Sequence, residues 1–294
     1  MIYLKSKNRL KGGFLIYLIK PMLDRRKKYL QIAFNRSLEE IALMINSLPL
    51  SDRIIIEAGY PLIKNYGVRA ISAIRAMWHE RIFGIEDQVK NVARGSSFTL
   101  TGLGISFIGS LLKSAAKEAA RKSARRDGSV KNIHFNPYIV ADLKCMDRAF
   151  TEVEAAAKAG ASAATCLGLA PFETIDEFIR MCEELRIDSM LDMMNVEYPF
   201  EVLTKLAKPP RIIMLHRGVD EREENRDKEI PFSEIEKILN LYDDVFIAVA
   251  GGETVRDVIS GAFNGANILV VWKLFNEDPR KITEITNEFL EELK

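Results

Sequence analysis

Short runs of Ile, Val, Leu and Ala recur along the chain. Each is followed by a longer stretch whose apolar residues repeat every three or four positions. The runs are YLQIAF (29–34), RIIIEAG (53–59), YIVADLK (138–144), AATCLG (163–168), DSMLDMM (188–194), RIIMLH (211–216), VFIAVAG (245–251) and ANILVVW (266–272). Between them lie SLEEIALMINSL, GVRAISAIRAMWHE, AFTEVEAAAKAG, TIDEFIRMCEELR and PFSEIEKILNLY, and PRKITEITNEFLEELK follows the last. Near-continuous apolar strands alternating with amphipathic helices predict a parallel sheet covered on its outer face. Eight such repeats predict an α/β fold closed into a (β/α)8 TIM barrel. Gly160 and Gly265 each stand just before a strand, where a helix-ending turn is expected.

One connection breaks the rhythm. About fifty residues, 84–136, separate the second helix from the third strand, so the reading is an extension at 1–28 and a barrel over 29–294 interrupted by a helical insertion. Such a connection belongs on the N-terminal face of the barrel, away from the strand ends that carry chemistry. Its first half, 96–112, is apolar with three glycines and falls short of a membrane span; its second half, 113–126, is basic and Ala-rich. A protein contact is the favoured reading. A membrane surface or nucleic acid is the alternative, although the basic half has no aromatic residue for base stacking.

Charge follows the same division. The whole chain carries +1, but residues 1–28 hold nine Lys/Arg against one acid and residues 90–131 hold nine against two, leaving the remainder at −14. An acidic body with two basic appendages is expected to fold the appendages onto itself or onto a second copy. The apolar stretch GFLIYLI ends at Lys20 and Pro21 without a cleavage site. The three cysteines, Cys145, Cys166 and Cys182, have neither disulfide nor zinc spacing. Both features lead us to expect a cytoplasmic protein.

Chemistry in such barrels sits at the C-terminal strand ends. Those ends present Asn35, Glu57, Asp142 with Lys144, Gly168, Asp192, His216, Gly251 with Gly252, and Trp272 with Lys273. Asp192 alone would read as a helix cap or a solvated rim residue. Five ionisable groups at one mouth point instead to a site. Asp142 and Lys144 share a strand face about 7 Å apart by strand geometry, an unusual ending for a buried strand.

The segments YLQIAF, IIEAGYPLIKNYG, IVADLKCMD, CLGLA, LDMMNVEYP, LHRGVD and IAVAGG, in this order and spacing, resemble the 3-hexulose-6-phosphate synthases. That group lies in the orotidine-5'-phosphate decarboxylase superfamily, beside the 3-keto-L-gulonate-6-phosphate decarboxylases. The likeness covers about 29–83 and 137–294, and its core is Asp-x-Lys-x-x-Asp after a hydrophobic strand. The resemblance implies a reversible aldol reaction of D-ribulose 5-phosphate with formaldehyde through an enediolate. It implies Mg²⁺ held by Glu57 and Asp142, with Lys144 stabilising the enediolate charge and His216 moving a proton. Asp147 would reach into a partner's site, which makes the protein a homodimer. Asn35, Gly168, Asp192, Gly251, Gly252 and Lys273 would line the substrate.

The chain departs from the patterns of these families at several positions. The first strand ends in Asn35 where an acid is usual. Trp272 and Lys273 occupy the loop where a glycine lets backbone amides approach a phosphate. Val219 replaces the decarboxylase arginine, and Val140 the first lysine of the orotidylate enzyme. The synthase branch is therefore the better match. A different phosphorylated substrate, or a non-catalytic scaffold acting through the insertion, is the alternative.

Overall fold

The computed structural model describes residues 23–83, 135–225, 229–251, 255–273, 275 and 281–293. Within them eight parallel strands close in chain order: β1 (Tyr29–Phe34), β2 (Ile54–Ala58), β3 (Ile139–Cys145), β4 (Ala163–Leu167), β5 (Asp188–Asp192), β6 (Ile212–His216), β7 (Phe246–Ala250) and β8 (Ile268–Val271). β1 pairs with β8 through Tyr29–Ile268 and Gln31–Val270, which seals the cylinder. The predicted barrel is therefore the observed one, with strand ends shifted by at most two residues.

Alternation along each strand divides the core in two. Leu30, Ile32 and Phe34 of β1, Ile54 and Ile56 of β2 and Ile139 and Ala141 of β3 point outward into the helical layer. Tyr29, Ala33, Ile55, Val140, Met190, Met214, Phe246 and Val270 point inward and fill the cylinder. Burying both faces is what requires strands apolar at nearly every position.

The helices are α1 (Leu38–Ser47), α2 (Tyr60–Tyr66), α3 (Arg69–Phe83), α4 (Ala149–Lys158), α5 (Phe172–Leu185), α6 (Pro199–Leu203), α7 (Val219–Glu224), α8 (Ser233–Leu241), α9 (Val255–Phe263) and α10 (Ile282–Glu292). Ser37 starts α1 with a capping box to Glu40. Gly160 and Gly265 take φ of 91° and 105°, as expected of helix-ending turns, and Ala161 and Ala266 donate back to Ala156 and Gly261. α2, α6, α7 and α9 are not among the stretches the periodicity picks out. The first three are five to seven residues long, too short to display a helical period, and VDEREE has no apolar stripe.

Of the basic extension, residues 1–22 lie outside the described residues, as do 84–134 of the insertion. Leu23 joins the inner cluster, Asp24 N donates to Tyr29 Oη, and Lys28 Nζ donates to Ala266 O, so the segment before β1 sits at the N-terminal end of the barrel. Among the described residues no helix is long and apolar enough to cross a membrane.

Candidate active site

β3 carries the centre of the site. Its pairing with β4 is irregular between Ala141 and Cys145, and Lys144 takes a left-handed φ of 47°, a conformation that costs a non-glycine residue and clusters at functional sites. Thr165 of β4 fastens this kink. Its Oγ1 accepts from Lys144 N at 3.0 Å and donates to Asp142 Oδ1 at 2.8 Å. Tyr60 N, at the start of α2, donates to Asp142 Oδ2 at 3.3 Å. The Lys144 ammonium then lies 3.5 Å from Asp142 Oδ2 and 2.9 Å from Asp192 Oδ2.

Asp192, fully buried, is the hinge of the group. Besides Lys144 it faces His216 Nδ1 at 2.9 and 3.0 Å, and its Oδ1 accepts from Met194 N. A carboxylate against Nδ1 fixes the hydrogen there and leaves Nε2 as the working nitrogen. Burial would raise the Asp192 pKa, yet His216 and Lys144 together hold it below the ordinary carboxylate value. Burial likewise disfavours the charged Lys144, and Asp142 and Asp192 outweigh it, so the ammonium is held charged.

Glu57 and Asp142 respond the other way. Burial, then repulsion from Asp142, pushes Glu57 up to about 7, with Gln31 opposing the shift. Asp142 is raised by burial and by Asp192 against the pull of Lys144. Three buried carboxylates thus face one lysine and one histidine, an array short of positive charge. Hard oxygen donors with a deficit of cations fit Mg²⁺. Among the described residues no three His, Cys, Asp or Glu side chains converge as a protein-only cage. Mg²⁺ does not need one, since it keeps water and substrate oxygens and uses one or two carboxylates.

The remaining candidates are placed less uniformly. Asn35 Oδ1 is buried beside Gly59 with no hydrogen-bond partner, and a Cβ on Gly59 would fall 1.9 Å from it. Gly168 is buried, and its N–H is committed to Asp192 O. Gly251 has φ of 103° and leaves no room for a Cβ, which would meet Arg217 O at 2.4 Å; Gly252 lies outside the described residues. Trp272 packs against the inner cluster at the mouth, and Lys273 is half-buried next to it. Asp147 is exposed, accepts from Arg148 N, and is not brought to the site of its own chain. A cleft between the β5 and β6 loops, lined by Asn195, Glu197, Arg217 and Glu221, reaches His216 from the side. Thr165 and Gln31 belong to the site although a survey of strand ends passes them over. Their signal is a polar residue in the inward register of an otherwise apolar strand.

Known proteins resemble the chain in sequence and in fold. The sequence profile of the "Orotidine 5'-phosphate decarboxylase / HUMPS family" matches residues 129–271. The bifunctional enzyme Fae/Hps of Methanothrix thermoacetophila is 31% identical over 268 residues, covering 90% of this chain and 53% of the relative. Over these residues the chain is similar to the HUMPS family. The Fae/Hps protein of Methanocella arvoryzae is likewise 31% identical, over 269 residues, with 90% and 53% covered. The chain thus spans about half the length of the curated relatives it matches. Among solved structures, the 3-hexulose-6-phosphate synthase of Salmonella typhimurium superposes with a TM-score of 0.61 at 21% identity, covering 90% of this chain and 98% of that one. The KGPDC of Streptococcus mutans gives 0.58 at 14%, with 91% and 97% covered. These two share the barrel fold of this chain.

Proposed function

We propose that this barrel is a Mg²⁺-dependent aldehyde-lyase acting on a sugar phosphate through an enediolate, in the manner of a 3-hexulose-6-phosphate synthase. The observation that carries the reading is the convergence of Glu57, Asp142, Lys144, Asp192 and His216 at one mouth, on a chain related to Fae/Hps proteins. Glu57 and Asp142 would hold the ion, which supplies Lewis-acid stabilisation to the oxygens of an enediolate. Lys144, held charged by two carboxylates, stands where negative charge would develop. His216, with Nδ1 fixed on Asp192, offers Nε2 for a proton transfer. Gly251, with Gly252 and Lys273, would receive the phosphate.

The same reading makes the protein a homodimer with shared sites. Asp147 faces outward, and Met146, Phe150, Leu169 and Phe172, on the β3–α4 and β4–α5 connections and the first turns of α4 and α5, are 44%, 52%, 49% and 39% exposed. An apolar rim around an outward acid suits an isologous contact. Mixing Asp147→Ala chains with Lys144→Ala chains should restore part of the activity each lacks alone, and no recovery would count against sharing.

A second reading has support of its own. Trp272 packed on the inner cluster and the neutral Asn35 both favour a phosphorylated substrate other than ribulose 5-phosphate, held by Lys273 or stacked on the indole. Formaldehyde consumption with ribulose 5-phosphate, measured with Mg²⁺ and with chelator, separates the two. Turnover abolished by chelator and restored by Mg²⁺ supports the synthase. Turnover that appears only in Trp272→Gly supports the altered substrate. Turnover indifferent to chelator overturns the metal assignment.

A further inference from the structure

Gln31 is a costly residue where it stands. It is fully buried in β1, in register with Ile55 of β2 and Val270 of β8, so its neighbours at that level of the barrel are aliphatic. Its Nε2 donates to Glu57 Oε2 at 2.5 Å, while its Oε1 is buried with no hydrogen-bond partner. An apolar residue of the same volume would fill the space without stranding a carbonyl. A side chain that accepts this deficit to make one bond is there for the bond.

We propose that Gln31 is a positioning residue that aims the Glu57 carboxylate at a divalent cation. This rests on the reading of Glu57 and Asp142 as Mg²⁺ ligands. The amide reaches up one barrel layer and holds Oε2 from below, which leaves Oε1 as the oxygen for the mouth. The Gln31 amide presents its NH₂ group to Glu57, and Nε2 can only donate, so the partner oxygen is held as an acceptor. The contact therefore fixes the rotation of the Glu57 carboxylate. Asp142 is held equivalently by Thr165 and Tyr60, so each proposed ligand has its own set of donors.

The test is Mn²⁺ binding to the full chain, read by the electron paramagnetic resonance of free Mn²⁺, beside melting temperature in chelator. Gln31→Met keeps the volume and removes the donor. The expected result is Mn²⁺ affinity lower by about 10–100-fold, with a melting temperature in chelator equal to or above that of the parent. Gln31→Leu, smaller and apolar, should behave alike if Met fails to fold. Unchanged Mn²⁺ affinity in a folded variant overturns the role of Gln31 alone. Loss of affinity accompanied by a matching loss of stability in chelator also overturns it, because Gln31 would then be structural. Failure of the parent protein to bind Mn²⁺ overturns the metal reading itself.

Discussion

At the N-terminal end of the barrel interior, Tyr138 Oη donates to Asp188 Oδ2 at 2.6 Å, and both side chains are buried. At the other end, Glu57, Asp142 and Asp192 are also buried, but they face one another as well as Lys144 and His216. The lower carboxylate has a neutral phenol as donor, and burial followed by Asp188 keeps that phenol from ionising. In the mouth, burial and repulsion raise Glu57 and Asp142 while Lys144 sits in a left-handed backbone conformation. A matched buried pair serves the fold, whereas an unmatched cluster persists where another charge is meant to join it.

The sharpest break in this comparison comes at Lys144. Lys144→Met leaves Asp142 and Asp192 without their shared cation. Activity should fall by about 10³-fold, as for loss of a charge stabiliser, and folding stability by about 3–5 kcal/mol, as for one broken partner of a buried pair. Tyr138→Phe, the matched change at the lower end, should cost about 1–3 kcal/mol with kcat/KM unchanged. Steady-state kinetics and urea unfolding on both variants check this. Similar kinetic losses in the two would remove the distinction between the ends.

A second test uses pH. Glu57 is raised from 4.5 to about 7 in the folded chain. Between those values the folded state binds more protons than the unfolded one, so stability must fall as pH rises through the window and level off above it. The loss is on the order of 3 kcal/mol at about 1.4 kcal/mol per pKa unit. Melting of the protein in chelator from pH 5 to 8 should show this slope, and Glu57→Gln should flatten it. Added Mg²⁺ should recover stability above pH 7 in the parent and not in Glu57→Gln. A parent that melts equally across the range would mean that Glu57 ionises freely.

The barrel was legible because its strands are buried on both faces, so each appears as an apolar run whatever its neighbours are. Glu57, Asp142, Lys144, Asp192 and His216 stand out because charge at the end of such a run is expensive unless it is shared. Which charge meets which is another matter. Asp192 alone reads as a cap, and only closure of β5 against β4 and β6 puts it between Lys144 and His216. Gly168 reads as a place for a ligand, yet its N–H closes a turn on Asp192. Gln31 and Thr165 are hidden inside apolar strands, and their meaning depends on the register with β2 and β3. Short helices such as α2 and α7 lack the length for a period, so only the structure reveals them.

The smallest effect concerns how β4 holds β3 at two heights. Ser162 Oγ accepts from Ile139 N at 3.1 Å near the lower end, and Thr165 Oγ1 accepts from Lys144 N at 3.0 Å near the mouth. Both hydroxyls are buried and both satisfy a β3 amide, but only Thr165 also donates to Asp142. Thr165→Val keeps the shape and removes both of its bonds; Ser162→Ala removes the lower one together with the 3.5 Å bond from Ser162 Oγ to Pro137 O. Each should cost about 1–2 kcal/mol for an amide left without its partner. Their kinetics should diverge. Loss of one donor to Asp142 and release of the Lys144 kink should lower kcat about tenfold in Thr165→Val, the equivalent of 1.4 kcal/mol in the barrier. Ser162→Ala should leave kcat where it was. The pair isolates stability from chemistry because both bonds run from a β3 amide to a β4 hydroxyl and differ in what lies beyond them. Equal kcat values in two equally destabilised variants would show that the β3 kink is a feature of the fold and not a device for placing Lys144.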